Sequence, residues 1–159
     1  MKIGIYSPYL DTVGGGERYM LTIAETLSKS NEVDILLDAH LQTLDIKSIA
    51  AKNSRLLDLD LTNVNFIPSP LGVKNNVFQR LNFLKHYDLL FCLTDGSVFY
   101  STARKNILHI QSPIKVSNNS IWKKIKKSSW NLIIYNSEFT KSSCEKFWGL
   151  KGEVVYPPV

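Results

Sequence analysis

The sequence predicts an α/β fold: a doubly wound, mostly parallel sheet of about seven strands with helices on both faces. Two observations support this class. Short apolar runs recur along the chain, and segments with apolar residues at helical spacing separate them. The runs are continuously apolar rather than alternating, which is typical of parallel strands covered on both faces by helices. We therefore expect ligands to bind beyond the carboxyl ends of the strands.

The N-terminal half alternates strands with helices. Strands are predicted at Lys2–Tyr6, Glu32–Leu37 and Val64–Ile67. Helices are predicted at Gly16–Ser28, Gln42–Lys52 and Val77–Leu84. The apolar stripe of the first helix comprises Met20, Ile23, Ala24 and Leu27. The residues expected to point inward from the third helix are Phe78, Leu81 and Leu84.

The C-terminal half continues the same alternation. Strands are predicted at Asp88–Leu93, Asn106–Ile110, Asn131–Tyr135 and Glu153–Val155. A helix is predicted over Ser137–Phe147, with Ser137 as its N-cap because a serine hydroxyl can accept from a first-turn N–H group.

Length and composition set broad limits on function. A chain of 159 residues suits one domain, and its net charge of +5 favours anionic partners such as phosphorylated ligands, nucleic acid or an acidic membrane surface. The two cysteines, Cys92 and Cys144, lack a C-x-x-C partner, so we expect reduced thiols and no zinc site. Because no signal peptide or membrane-spanning apolar run is apparent, we expect a cytoplasmic protein.

Three consecutive glycines, Gly14, Gly15 and Gly16, lie between the first strand and the first helix. The unpaired N–H groups of a helix N-terminus attract anions, and glycine lets a ligand approach the backbone closely. The dinucleotide fingerprint G-x-G-x-x-G fails because Tyr19 replaces its third glycine, and no P-loop lysine follows. Two interpretations remain open: a tight structural turn, or contact with a phosphate or substrate.

Glu17 and Arg18 follow the glycines and are candidate substrate-binding residues. A glutamate near a helix N-terminus is also favoured by the helix dipole, whatever its function. An arginine can bind a phosphate through two hydrogen bonds, or it can be an ordinary solvated surface charge.

His109 and the pair Asp95–Gly96 end two central strands of the predicted sheet. A histidine at that position can bind a hydroxyl group or act as an acid or base, which makes His109 the candidate catalytic residue. The alternative for His109 is a core histidine with satisfied ring nitrogens. Asp95 and Gly96 can line the same crevice as substrate-binding residues, or they can form a turn. His40 and His86 are predicted to be surface residues.

The most basic segment of the chain runs from Asn118 to Trp130. Its lysines alternate with apolar residues, as in a basic amphipathic helix that binds anionic membranes or nucleic acid. The residues predicted to contact a membrane are Trp122, Lys123, Lys124, Lys126 and Lys127. The alternative is a solvated helix face, which is the usual role of a charge cluster.

Four stretches together resemble family-4 glycosyltransferases of GT-B fold: "KIGIYSPYL", "GGGERYMLTIAETLSKSNEVDIL", "YNSEFTKSSCEKFWG" and "VVYPPV". The resemblance covers nearly the whole chain, and the Gly-Gly-Gly-Glu-Arg run is similar to that of mannosyltransferases that extend lipid-linked oligosaccharides. It implies a Rossmann-like, acceptor-side N-terminal domain at residues 1–155 and the start of an interdomain linker at residues 156–159. It also implies a donor-binding C-terminal domain that this chain lacks.

The same resemblance implies retaining transfer of a hexose, with mannose as a candidate, from a nucleotide-diphospho-sugar to a glycan or lipid-linked acceptor. Gly14, Gly15 and Gly16 would then donate backbone N–H groups to the diphosphate, and His109 would contact the transferred sugar. The resemblance implies no metal or other cofactor. We expect no nucleic acid as a partner, and the basic segment makes peripheral contact with the inner face of a membrane a further expectation. This domain alone is expected to be inactive.

Two other classes of function remain as alternatives. A stand-alone nucleic-acid-binding module would use the lysine cluster and bind oligonucleotides with a steep salt dependence. A dinucleotide-dependent oxidoreductase would use Asp38 as its ribose-binding acid, although the glycine spacing disfavours that class. The sequence leaves the sugar and the acceptor open.

Overall fold

Seven strands form one parallel sheet in the computed structural model. The structure describes residues 1–72, 77–94, 98–113 and 121–157, except for the side chains of residues 121–123, 147 and 148. They are β1 (Lys2–Tyr6), β2 (Glu32–Leu37), β3 (Val64–Pro68), β4 (Leu89–Thr94), β5 (Lys105–Ile110), β6 (Leu132–Tyr135) and β7 (Glu153–Val154). The order across the sheet is β3-β2-β1-β4-β5-β6-β7, and every neighbouring pair is parallel. The predicted doubly wound α/β class is confirmed.

Helices cover both faces of this sheet. They are α1 (Gly15–Ser28), a 3₁₀ helix (Ala39–Thr43), α2 (Ile46–Leu57), α3 (Val77–Leu84), α4 (Ile121–Ser128) and α5 (Glu138–Trp148). One apolar cluster joins Met20 and Leu21 of α1 to Ile35 of the sheet, and a second joins Leu84 of α3 to Leu90 and other strand residues. Because alternate strand residues enter opposite clusters, the strands are apolar on both faces.

Side-chain caps fix where two helices begin. The Asp45 carboxylate accepts a hydrogen bond from the Lys47 N–H group, so α2 begins at Ile46 instead of the predicted Gln42. Gln42 and Thr43, the first two residues of the predicted helix, belong instead to the preceding 3₁₀ helix. At α5, the predicted N-cap is confirmed, because Ser137 Oγ accepts from the Thr140 N–H group at 3.2 Å.

The predicted inward direction of Phe78 is wrong. Phe78 is 81% exposed, whereas Leu84 on the same helix is fully buried. Six residues separate them, and at about 100° per residue Phe78 is rotated about 120° away from the buried direction of Leu84. Phe83 packs in its place against Tyr87, with ring centroids 5.6 Å apart.

A polar network centred on Asp34 lies near the amino ends of the strands. Asp34 of β2 is buried, and its carboxylate accepts from Tyr87 Oη at 2.9 Å and Asn65 Nδ2 at 2.9 Å. Lys2 Nζ lies 3.3 Å from the same carboxylate. These contacts tie three strands together at the amino edge of the sheet.

A methyl group at Gly152 is expected to destabilise the C-terminal edge of the sheet. An added Cβ would lie 2.5 Å from the Ile133 backbone oxygen and 2.9 Å from Ile133 Cβ, and neither atom can move without shifting β6. We expect Gly152→Ala to lower the free energy of unfolding by about 1–3 kcal/mol, the usual cost of overpacking, as measured by urea denaturation. The matched control is Gly15→Ala, whose Cβ would meet nothing within 4 Å and which we expect to be neutral. Equal stabilities of the two variants would contradict this prediction.

Candidate functional site

The order of the strands defines a switch point between β1 and β4. From β1 the chain continues to β2 and β3 on one side, while from β4 it continues to β5, β6 and β7 on the other. The chain therefore leaves β1 and β4 in opposite directions at the carboxyl edge of the sheet. In open α/β sheets this is the usual place for a ligand.

The loop after β1 reaches α1 through a strained residue. Val13 has a φ of +52°, a left-handed conformation that β-branched residues rarely adopt. Gly14 follows as the N-cap of α1, and Gly15 is its first residue. Strain of this kind persists only where the surroundings impose it, and it is concentrated at functional sites. The turn is therefore more constrained than a simple strand-to-helix connection requires.

Glu17 uses one of the three glycine N–H groups. The Gly14 N–H group donates to Glu17 Oε2 at 2.7 Å, and Glu17 is only 4% exposed. The buried carboxylate thus satisfies the N-terminus of α1 from within the helix. For Gly15 and Gly16, no acceptor of the N–H group occurs among the described residues. Of the three glycine amides, those of Gly15 and Gly16 are therefore available to an external anion.

Gln111 connects the glycine turn to the start of α5. Its side chain lies so close to Gly16 that an added Cβ would be 2.7 Å from Gln111 Oε1. The Gln111 backbone oxygen accepts from Asn136 Nδ2 at 2.8 Å, and Asn136 precedes the N-cap residue Ser137. The helix N-termini of α1 and α5 are therefore linked through the residue that follows β5.

His109 is buried below the start of α1. Its exposure is 0%, and its ring stacks on Tyr19 at 4.5 Å between centroids and on Phe91 at 6.0 Å. Neither ring nitrogen has a hydrogen-bond partner within the described part of the chain. The site thus combines the burial expected of a core histidine with the free nitrogens expected of a ligand-binding one.

Burial also sets the protonation state of His109. Removal from water disfavours the charged imidazolium and lowers the pKa of His109 to about 4. The ring is therefore neutral at physiological pH. One nitrogen carries a proton and the other carries a lone pair, so the ring can donate one hydrogen bond and accept another. A hydroxyl group of a ligand would satisfy such a ring if Tyr19 moved aside.

A second polar group at the carboxyl edge is centred on Asp38. The Tyr6 hydroxyl donates to Asp38 Oδ2 at 2.6 Å, and His40 Nδ1 lies 2.9 Å from Asp38 Oδ1. His40 Nε2 is 4.0 Å from Asp11 Oδ1 in the loop after β1. Asp38, the ribose-binding acid of the oxidoreductase alternative, is thus already engaged by two side chains. His40 and His86 are exposed, as predicted.

A cavity of about 230 Å³ lies between the loop after β1 and the start of α2. The side chains that line it include Leu10, Asp11, Leu44, Asp45, Ser48 and Lys52. Asn53, which also lines it, joins the two walls because its Nδ2 donates to the Leu10 and Ile49 backbone oxygens. The mixed lining of carboxylates, hydroxyl and apolar carbon suits a small polar ligand.

The other predicted site residues are exposed or lie outside the described part of the chain. Arg18 is exposed on α1 and is available to solvent. Asp95 and Gly96 lie outside the described residues, as do Pro158 and Val159 of the predicted linker. Asp58-Leu59-Asp60, an Asp-x-Asp sequence, ends α2 at the opposite edge, where Asp58 is its C-cap. In the described ranges no group of three His, Cys, Asp or Glu side chains could hold a metal ion.

The basic segment forms the predicted helix α4. Lys124, Ile125 and Lys126 are exposed, whereas Lys127 is partly buried. Trp130 belongs to the core, and its Nε1 donates to the Phe99 backbone oxygen at 3.0 Å. The side chains of Trp122 and Lys123 lie outside the described part. None of the helices in the described ranges has the length and apolar character needed to span a bilayer.

Two residues of the site were missed by sequence reasoning. Tyr19 was read only as the residue that breaks the dinucleotide fingerprint, yet its ring covers His109. Gln111 follows β5 directly, and its position at a strand end was the signal that could have identified it. The stacking of Tyr19 on His109 could not be predicted from the sequence of α1 or of β5 alone, because it depends on how the two elements pack.

The comparisons with known proteins leave the family of this chain open. No protein-family model matches it, and no curated protein matches it either. The fold defines an α/β protein with a seven-stranded parallel sheet of doubly wound, Rossmann-like architecture.

Proposed function

We propose that this chain is the acceptor-side domain of a retaining, metal-independent glycosyltransferase of GT-B fold. The enzyme would transfer a hexose, with mannose as a candidate, from a nucleotide-diphospho-sugar to a glycan or lipid-linked acceptor. The doubly wound fold supports this proposal, since half of a GT-B enzyme has this architecture. The sequence resemblance at the first strand, the glycine turn, the α5 start and the chain's end supports it independently.

The observation that carries the proposal is the contact of the glycine turn with Gln111, which is itself bonded to Asn136. Two of the stretches that carry the resemblance, Gly14–Arg18 and Asn136–Thr140, thereby meet at one edge of the sheet. Both contribute helix N-termini, whose partial positive charge favours a departing diphosphate. We assign the diphosphate contacts to Gly15 and Gly16, because the Gly14 N–H group donates to Glu17 while the other two amides have no acceptor among the described residues.

His109 has a specific place in this proposal. A neutral histidine with two unpartnered nitrogens can hydrogen-bond a hydroxyl of the transferred sugar without adding charge. The stacked Tyr19 ring covers it in this conformation, so sugar binding requires a shift of α1 or of the Tyr19 side chain. The exposed lysines of α4 remain candidates for contact with an anionic membrane surface.

Transfer of labelled hexose by the protein expressed from its complete reading frame tests the proposal. We expect incorporation from GDP-mannose or UDP-glucose into a lipid-linked acceptor, and a loss on the order of 10²-fold in Gly16→Val, whose side chain would displace Gln111. Lys29→Ala, at the exposed far end of α1, is the control and should retain full activity.

The 159-residue chain alone provides a second test. Because the donor site is assigned to another domain, we expect calorimetry to give a Kd for GDP-mannose weaker than about 1 mM. Micromolar binding would contradict this division of labour. Absence of transfer from every nucleotide sugar tried would overturn the proposed activity itself.

A further inference from the structure

Arg80 of α3 is a partly buried cation without an acceptor. Its Nε atom is buried and has no hydrogen-bond partner among the described residues. The residue forms none of the ion pairs found there, whereas Arg104 pairs with Asp88 at 3.5 Å. Buried arginine nitrogens are normally paired, because removal of a charge from water is costly. The unpartnered Nε atom therefore needs an explanation.

Aromatic residues hold the Arg80 guanidinium at the carboxyl edge. Its Cζ lies 5.3 Å from the centroid of the Phe99 ring. The Phe99 ring contacts Tyr6 edge-on at 6.1 Å and Trp130 at 5.5 Å, so its position is fixed from both sides. Tyr6 ends β1, which places Arg80 beside the β1–β4 switch point. A stacked guanidinium is a preorganised donor, since its plane is set before a ligand arrives.

The Asp38 network at the same edge does not pair with Arg80. The Asp38 carboxylate is occupied by the Tyr6 hydroxyl and by His40, and it forms no ion pair with Arg80. Burial lowers the pKa of Arg80, against a smaller opposing effect of Tyr6, as expected for a guanidinium partly removed from water. The residue stays charged, because the guanidinium pKa is far above neutrality.

We propose that Arg80 binds a phosphoryl group, of a phosphate monoester or a diphosphate, at the switch point between β1 and β4. The planar fork of donors matches two phosphoryl oxygens, and the bound anion would supply the missing acceptors. The net charge of +5 favours an anion at this edge. This inference does not rest on the proposed transferase, because phosphoryl binding at Arg80 can exist without sugar transfer.

Calorimetric titration with sodium pyrophosphate and with inorganic phosphate, at constant ionic strength, tests this site. We expect the wild-type chain to bind at least one of them, and Arg80→Met, which keeps the packed stem, to bind at least about tenfold more weakly. Arg80→Lys keeps the charge but loses the fork and should also bind more weakly. Arg104→Gln, which removes an exposed arginine from the opposite edge, is the matched control and should bind as wild type.

Two further binding experiments identify the chemical class of the ligand and show whether its phosphoryl group belongs to a lipid. Sodium acetate tests a carboxylate, and binding as tight as that of pyrophosphate would overturn the phosphoryl assignment. Vesicles of phosphatidic acid, against phosphatidylcholine alone, test a lipid headgroup; Arg80-dependent cosedimentation would assign the phosphoryl group to a lipid. The inference is overturned if the wild type binds none of these phosphoryl probes, or if both Arg80 variants bind them as well as the wild type.

Discussion

Lowering the pH from 7 to 4 is expected to remove about 3 kcal/mol of stability through His109 alone. The folded-state pKa of His109 is about 4, below the value of about 6.5 for an unfolded histidine. Between these values the unfolded chain binds a proton that the folded chain does not, so stability rises with pH. The contribution is complete above about pH 6.5 and is lost as the pH falls toward 4. Urea denaturation at both pH values measures it.

His109→Phe separates this effect from the titration of the carboxylates. Phenylalanine can keep the stack with Tyr19 and Phe91 but cannot bind a proton. Carboxylates titrate alike in both proteins, so the difference between their pH dependences isolates the histidine. We expect the variant to lose about 3 kcal/mol less than the wild type between pH 7 and 4. Parallel pH dependences would contradict a buried, neutral His109.

Asp34→Ala is expected to lower the free energy of unfolding by at least about 3 kcal/mol. The substitution leaves the buried Tyr87 hydroxyl and the Asn65 amide without their acceptor. Burial, and then the neighbouring Asp34 carboxylate, raise the pKa of Tyr87, so its hydroxyl is protonated and acts as the donor. Each hydrogen bond to a charged group contributes about 1.5–3 kcal/mol, and an orphaned buried donor adds a desolvation cost. Urea denaturation at pH 7 measures the loss.

Glu32→Ala is the matched control for Asp34→Ala. Glu32 lies on the same strand and pairs with the same lysine, Lys2, but its side chain is 55% exposed. Exposed ion pairs contribute at most about 1 kcal/mol, so this variant should stay close to wild type. Similar losses in the two variants would mean that the buried hydrogen bonds of Asp34 are not the main source of stability.

Most of the fold could be predicted because periodicity is a local property of the sequence. The strand Glu32–Leu37 is apolar apart from Glu32 and Asp34, and its bounds are confirmed. Boundaries were less certain where side chains compete as caps, as Asp45 does at α2. Phe78 shows a second limit, since its apolar character says nothing about whether α3 has a neighbour on that side.

The site was harder to predict because its key relations cross the sheet. Nothing in the run Gly14–Arg18 indicates that Glu17 bonds Gly14 rather than a ligand. The strand-end position of His109 is confirmed, but its burial depends on Tyr19, which is distant in sequence. Arg80 was not identified at all, because an orphaned cation is recognised only when its surroundings are known.

The division between the two edges of the sheet has a consequence for engineering this protein. The Asp34 network fastens the amino edge, while strained Val13, neutral His109 and orphaned Arg80 gather at the carboxyl edge. The sequences of the loops at the carboxyl edge can therefore be varied in a library that leaves the Asp34 network unchanged. We expect most of the variants to fold because that network is retained.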